Sequence, residues 1–320
     1  MKKRVLRLLC LTLCAAFLCL PAMAAEKGEP QLPSSPGPVR VWGTLTRLSN
    51  GGLLVKNSNQ SNSLNEVILH GENILCLDAV TGEAMDVDAL KDGETIYAWV
   101  GPVMTMSLPP QATAILIVAN IPADFCAPQY YEIRSVTPQA MIAIYPPPAL
   151  TWTEVTTTDD KTLKITDDAQ LSRYGCDDSV RLEDLIPGTR ILVWTDMNGD
   201  ITKTLVFPYE YSSYITCGED GLLTVGGQVL SARAKLAGDE TLLPVRAVSE
   251  ALGLTVYWDA ETGANVAYAD GSSVFSVVPG TGLVCCGDGS ERSASCILEN
   301  GTTYLSADTL IQLLELYAAG

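Results

Sequence analysis

The sequence predicts a mainly β protein: two tandem small antiparallel β-barrel or roll domains followed by an α+β domain. Three observations predict it. Residues 39–215 alternate short runs rich in Val, Ile, Thr, Tyr and Trp with Gly, Asn, Asp and Pro turns, the pattern of short strands on tight connections. The same region repeats itself, VDALKDGETIYAW at 87–99 matching LEDLIPGTRILVW at 182–194. Further on, Leu242–Asp259 reads LLPVRAVSEALGLTVYWD. That is a strand, a short amphipathic helix and a second strand.

At the N-terminus, Lys2, Lys3, Arg4 and Arg7 precede an apolar run from Leu8 to Leu20, and Ala22-Met23-Ala24 is a small-x-small cleavage sequence. Residues 1–24 are therefore expected to be a secretory signal peptide, with the mature chain starting at Ala25. The run is too short for a transmembrane helix, and no membrane span is expected in the mature chain. Cys14 and Cys19 each follow Leu, where a lipobox needs a small residue. Leu32–Pro36 reads LPSSP and lacks the Thr-Gly of a sorting signal. Residues 25–38, rich in Pro, Ser and Gly, read as a flexible or extended linker.

The chain carries a formal charge of −17, from 20 basic and 37 acidic residues. Removing the four leader cations makes the mature chain more acidic still. Nucleic acid and anionic membrane are repelled by such a field, so no nucleic-acid partner is expected; neutral or cationic partners are favoured. Of ten cysteines, seven lie beyond the leader, so at least one thiol stays unpaired. Cys285 or Cys286 bridging Cys296 across a hairpin at Gly287–Ser290 is one reading. Buried small hydrophobes are the other.

The first β-domain is expected over 39–125 and the second over 126–217, with the boundary near Ala123–Pro128. Strand-like runs are Val39–Leu48, Glu66–Leu69, Thr95–Val100, Ala114–Val118, Leu163–Thr166, Arg190–Thr195 and Ile201–Phe207. Asn50-Gly51 and Asn198-Gly199 mark tight turns. Leu90, Gly93, Ile96 and Trp99 match Leu185, Gly188, Ile191 and Trp194 at one offset. The units are OB-like or SH3-like in size, and the repeated Trp99 and Trp194 read as core.

The third domain is expected over 218–320. Gly226-Gly227 signals a hairpin. A helix follows over Ala247–Leu252, with Val248, Ala251 and Leu252 as its buried stripe and Gly253 as its C-terminal cap. Gly238–Leu254 aligns with Asn300–Leu316, so that Leu243, Val248, Ala251 and Leu252 match Leu305, Leu310, Leu313 and Leu314. This duplicated strand–helix unit, and above all PVRAVSEALG…VYWD, resembles the copper amine oxidase N-terminal-like domain, also called a stalk domain, over about residues 219–320. The resemblance implies an α+β stalk-like domain, a non-catalytic module of secreted and envelope-associated bacterial proteins. The second copy has Leu305-Ser306-Ala307-Asp308 in place of a Val-Pro-Leu-Arg-like strand and is expected to lack the trailing strand. The motif residues Pro244, Arg246, Glu250, Gly253, Trp258 and Asp259 are expected to be structural. Arg246 would cap carbonyls or pair with Glu250 or Asp259.

Catalytic signals are scarce. Copper amine oxidase chemistry needs three His ligands, and this chain has one histidine, His70, read as a turn residue. Histidine-based triads lack a supporting motif, and no phosphate loop occurs. The pairs Asp159-Asp160, Asp167-Asp168 and Asp177-Asp178 point to opposite faces of any strand. Asp196–Asp200 alternates oxygen ligands but lacks the distal Glu of a calcium loop, so a hairpin turn is the better reading. No catalytic residue, metal or cofactor is expected. Tyr209, Tyr211 and Tyr214 are the candidate ligand surface, although domain-interface packing is the role expected first. The function expected is a non-enzymatic exported cell-envelope or extracellular protein. Its stalk domain would be a spacer or wall-binding module, and its partner a cell-wall polysaccharide or an extracellular protein. The alternatives are a secreted carboxylate-dependent hydrolase and a calcium-dependent adhesive protein.

Overall fold

The computed structural model describes residues 29–34, 36–59, 64–137, 151–176 and 178–319. The expected signal peptide, residues 1–24, and Asp177 lie outside them. The fold is mainly β, with two short helices among the described residues.

The first sheet contains β1 (Val39–Arg47), β2 (Leu53–Lys56), β3 (Glu66–His70), β4 (Leu75–Asp78), β5 (Thr95–Met104) and β6 (Gln111–Ala119). Its order is β3-β2-β1-β5-β6-β4, and a parallel β3–β6 pairing through Ile68 and Gln111 closes a five-stranded barrel. Alternation fills the barrel: Val41 and Leu45, Val67 and Leu69, and Ile96, Ala98 and Val100 all turn inward. β1 serves two neighbours, β5 through residues 39–44 and β2 through residues 44–47. Gly43 sits at the change of partner with φ +155°, and a Cβ there would meet the Lys56 backbone at 2.4 Å. Only glycine allows that close crossing.

The second sheet contains β7 (Gln129–Thr137), β8 (Trp152–Thr157), β9 (Thr162–Thr166), β10 (Gln170–Arg173), β11 (Arg190–Thr195) and β12 (Ile201–Val206). It has the strand order and strand senses of the first sheet, with β10 and β4 both parallel to their neighbours. It does not close: no β9–β12 pairing is present among the described residues. The reason is hairpin length. Trp99 pairs with Leu116 and Trp194 with Lys203, so the first hairpin spans eight more residues than the second. The stretch of β6 that reaches β3 corresponds to the Asn198-Gly199 turn in the second sheet.

Trp99 and Trp194 are buried, but inside neither sheet's own core. They point outward from β5 and β11 into one cluster shared by the two sheets, with Leu77, Leu116, Val118, Tyr130, Leu192, Leu205 and Phe207. Trp194 Nε1 donates to Ala79 O at 2.7 Å, and the Tyr174 hydroxyl donates to Cys76 O at 3.0 Å.

The remaining strands are β13 (Ser213–Cys217), β14 (Leu222–Val225), β15 (Gln228–Arg233), β16 (Lys235–Ala237) and β17 (Glu240–Pro244), leading into α1 (Val245–Ala251). Then come β18 (Thr255–Asp259), β19 (Gly263–Ala267), β20 (Ser273–Val277), β21 (Leu283–Cys286), β22 (Glu291–Ser293), β23 (Cys296–Glu299) and β24 (Thr302–Ser306), followed by α2 (Ala307–Leu313) and β25 (Leu316–Ala319). They form sheets β15-β14-β13-β25, β16-β17-β24-β23 and the meander β18 to β22. One core joins them, including Ile215, Leu243, Val248, Val266, Phe275, Leu305 and Leu310. The duplicated halves meet where β17 pairs with β24, and the matched residues Leu243 and Leu305 stand directly opposite each other.

Three expectations are corrected here, and one of two readings of the cysteines is set aside. Ser213–Cys217, assigned by sequence to the second repeat, is a strand of the C-terminal sheet, pairing with β14 and β25. The second strand–helix copy does have a trailing strand, β25, parallel to β13. The described part of the 25–38 linker is docked rather than free. Leu32 packs on the C-terminal core, and the Gln31 N–H donates to Thr241 Oγ1 at 3.0 Å. The predicted hairpin exists as β21–β22, but Cys296 lies beyond it on β23, buried and paired to another sheet. The seven described cysteines are free thiols.

Candidate binding cleft at the tyrosine seam

After β12 the chain crosses from the second sheet to the C-terminal sheets through Pro208–Ser212. Tyr209 and Tyr211 are half-buried in this crossing. The Tyr209 hydroxyl donates to Pro187 O at 2.9 Å, and its ring meets Tyr211 edge-on at 5.8 Å. Tyr211 in turn packs on Tyr317 of β25 at 5.2 Å. Tyr317 sits over Gly188, where a Cβ would lie 2.7 Å from its ring. The matching Gly93 of the first repeat has open space, so Gly188 is needed both for its turn and for the seam. Tyr214, on β13 beside Tyr317, lines a second opening with Arg134, Val136, Pro187 and Thr224. The three tyrosines are half-buried and form part of an interface, the packing role expected first for them. Two hydroxyls are turned inward or buried because the β13–β25 pairing brings the C-terminal sheet against the second one.

A cleft of about 560 Å³ opens along this seam, lined by Glu132, Arg134, Tyr211, Asp308, Gln312 and Tyr317, with the docked tail at Pro33–Ser34 on its rim. Its size suits a small ligand or one or two sugar rings. Glu132 comes from β7 and faces Arg190 across the β7–β11 pair. Burial raises the Glu132 pKa, against the opposing pull of the Tyr317 hydrogen bond and the Arg190 charge. Arg190 is only 7% exposed; it binds Glu210 at 2.8 Å and donates to Pro208 O at 3.1 Å. Burial, then the Glu132 charge, pushes the Tyr211 hydroxyl up to about 12. Tyr317 is raised for the same reasons. The cleft thus offers two aromatic rings, neutral phenols and a carboxyl that gives up its proton reluctantly.

Glu132 and Arg190 were not among the residues singled out by sequence. One signal was available: Arg190 stands where the first repeat has Thr95, so the charged pair breaks the repeat.

Of the adjacent acid pairs, Asp159-Asp160 is engaged in a turn, and Asp177 lies outside the described residues. Asp159 accepts from Thr157 Oγ1 at 2.5 Å and pairs with Lys161 at 2.8 Å; Asp160 pairs with Arg134 at 2.6 Å. Asp196 Oδ1 accepts from the backbone N–H groups of Asn198 and Asp200 at 2.8 and 2.9 Å, closing the β11–β12 turn. Among the described residues no group of three or more His, Cys, Asp or Glu is arranged to hold a metal. His70 ends β3 against Gly52, half-buried, its Nε2 enclosed and without a hydrogen-bond partner.

The motif residues lie on or beside α1 and β18 and do not line this cleft. Arg246 donates to Glu250 Oε1 at 2.9 Å and to Val256 O at 2.6 Å. It ties α1 to β18. Asp259 instead closes its own turn, accepting from the N–H groups of Glu261 and Thr262 at 2.8 and 2.9 Å. Pro244 is buried and precedes α1 directly. Gly253 caps α1 at φ +78°, with the Leu254 N–H reaching Ser249 O at 3.1 Å. Trp258 is exposed.

Residues 224–318 match the family described as copper amine oxidase N-terminal domain. The match runs from β14 into β25 and leaves out β13 and both N-terminal sheets. Neither the curated proteins nor the solved structures contain a match.

Proposed function

We propose that this chain is a non-enzymatic, exported protein of the cell envelope or extracellular space. In this reading the two N-terminal sheets are tandem β-domains and the C-terminal part is an α+β stalk-like domain. The stalk-like domain is a spacer or wall-binding module, and the seam cleft takes a saccharide or peptide. The observation that carries the reading is the cleft chemistry. Tyr211 and Tyr317 supply ring faces for stacking, while Glu132, Arg134, Asp308 and Gln312 supply hydrogen bonds to hydroxyl or amide groups. The family match at 224–318 supports the spacer role, and the signal-like N-terminus supports export.

Co-sedimentation of the chain from Ala25 with purified cell-wall sacculi across a salt series tests it. Retention that survives high salt, and falls with Tyr211→Ala, is expected. Failure to sediment at any salt rejects wall binding. A carboxylate-dependent hydrolase is the second reading, favoured by the raised Glu132 in the same cleft as Asp308. It requires release of soluble saccharide that Glu132→Gln abolishes; the first reading expects no release by either protein.

A further inference from the structure

The large apolar side chains of the first sheet are mostly buried, inside the barrel or in the core shared with the second sheet; apart from Val80, the exposed ones stand at the β5–β6 connection. There Val103, Met106 and Leu108 are 83%, 102% and 97% exposed. Three such residues within one ten-residue tip, GPVMTMSLPP at 101–110, form a concentrated apolar protrusion rather than scattered exposure. The tip belongs to the extra length of the first hairpin and has no counterpart on the β11–β12 hairpin.

The tip is built, and its polarity is inverted. Thr105 Oγ1 and Ser107 Oγ hydrogen-bond each other at 2.7 Å. Ser107 Oγ donates to Pro109 O at 2.8 Å, and the Gln111 N–H donates to Thr105 Oγ1 at 2.9 Å. The Thr105 N–H reaches Gln111 O at 2.9 Å. Pro102, Pro109 and Pro110 have no N–H to satisfy. The two hydroxyls of the tip are thus turned back on the loop while its apolar side chains stand out. That arrangement suits the apolar side of a membrane interface, where a hydroxyl finds fewer partners than in water.

Charge points the same way. No charged residue occurs between Glu94 and Asp124, so the tip itself is neutral. The parallel β3–β6 register places the start of β3 at the same end of the barrel, where Lys56 and Glu66 neutralise each other at 2.5 Å. In an otherwise acidic protein the apolar point itself is free of charge.

We propose that the 101–110 tip is a lipid contact: Val103, Met106 and Leu108 enter the headgroup–acyl boundary of an electrically neutral membrane surface and hold the first barrel end-on to it. The contact is peripheral and reversible, since three side chains bury little area and no basic residue adds attraction.

Vesicle flotation tests it, using the chain from Ala25 because the apolar run Leu8–Leu20 would itself bind lipid. Phosphatidylcholine vesicles are expected to float the protein at all salt concentrations. The Met106→Asp, Leu108→Asp double variant is expected to lower the bound fraction about tenfold or more, with an unchanged Tm because both side chains are fully exposed. Adding phosphatidylglycerol is expected to weaken binding at low salt, with recovery as salt screens the repulsion. No flotation of the unaltered protein at millimolar lipid would overturn the proposal and assign the tip to an apolar pocket on a protein. Equal flotation of the double variant would overturn it as well.

Discussion

At the level of single residues, the two strand–helix copies differ at one backbone position with a measurable consequence. Gly253 ends α1 in the left-handed region; the equivalent position after α2 is Glu315, at φ +50°. A side chain there is strained, and glycine is the residue that relieves it. Glu315→Gly should therefore stabilise the protein by about 1 kcal/mol, read as a rise in denaturant midpoint. Burial also sorts the thiols. It pushes Cys76 up to about 12 and Cys296 up to about 11, while Cys126 and Cys176 are exposed. Because the thiolate is the reactive form, brief alkylation of the native protein should label Cys126 and Cys176 and spare Cys76 and Cys296; peptide mapping reads the result. Glu132 carries a pH dependence whose sign follows from its raised pKa. Stability linked to it is fully present below the unfolded-state pKa and is lost as pH rises through the folded-state value. Glu132→Gln should thus help most at neutral pH and lose its advantage in acid, as thermal melts at the two pH values would show. None of this was visible from composition. Strained φ, burial and the Arg190 partner are products of the fold, and only the Arg190-for-Thr95 break in the repeat hinted at the cleft.

Secondary-structure elements were more legible than their partners. Alternating apolar runs and Asn-Gly or Gly-Gly turns mark β1, β3, β5, β11 and β12 because those signals are local. The helix α1 was readable from its stripe and Gly253, although it begins at Val245, two residues earlier than the pattern suggested. β13 and β25 were misread because a strand's sequence records its inward face, not the strand it joins. β13 meets β25 across about a hundred residues of chain, a contact no local pattern encodes. The docked tail was misread for a related reason. Pro, Ser and Gly imply an absence of regular structure, yet a single Leu32 with a place in the C-terminal core is enough to fix the segment. Leu32→Ala should cost about 1–2 kcal/mol, whereas a free linker would show no change in urea midpoint.

At the scale of the whole molecule, the decisive feature is where the repeated tryptophans point. Had Trp99 and Trp194 filled separate barrels, the two N-terminal sheets would be independent beads. Instead Ile96 and Ile191 fill the sheets, and the tryptophans, one residue out of phase with that inner face, build a common core between them. Each sheet therefore completes its hydrophobic burial only in the presence of the other. Two neighbouring units that share a buried core unfold together when that interface contributes more than either unit's own margin of stability. Trp194→Phe keeps most of the ring but removes the Nε1–H that satisfies Ala79 O at 2.7 Å, stranding a carbonyl of the first sheet by a change made in the second. The expected loss is about 1–3 kcal/mol. Its location is the informative part: amide exchange should quicken around Ala79 and Trp99 as well as around β11. Faster exchange confined to β11 would mean that the sheets are stable separately and that their shared core is only a contact surface. Coupled exchange would mean that the two N-terminal sheets act as one rigid arm, able to hold the apolar tip of the first barrel at a fixed distance from the cleft at Glu132 and Tyr211.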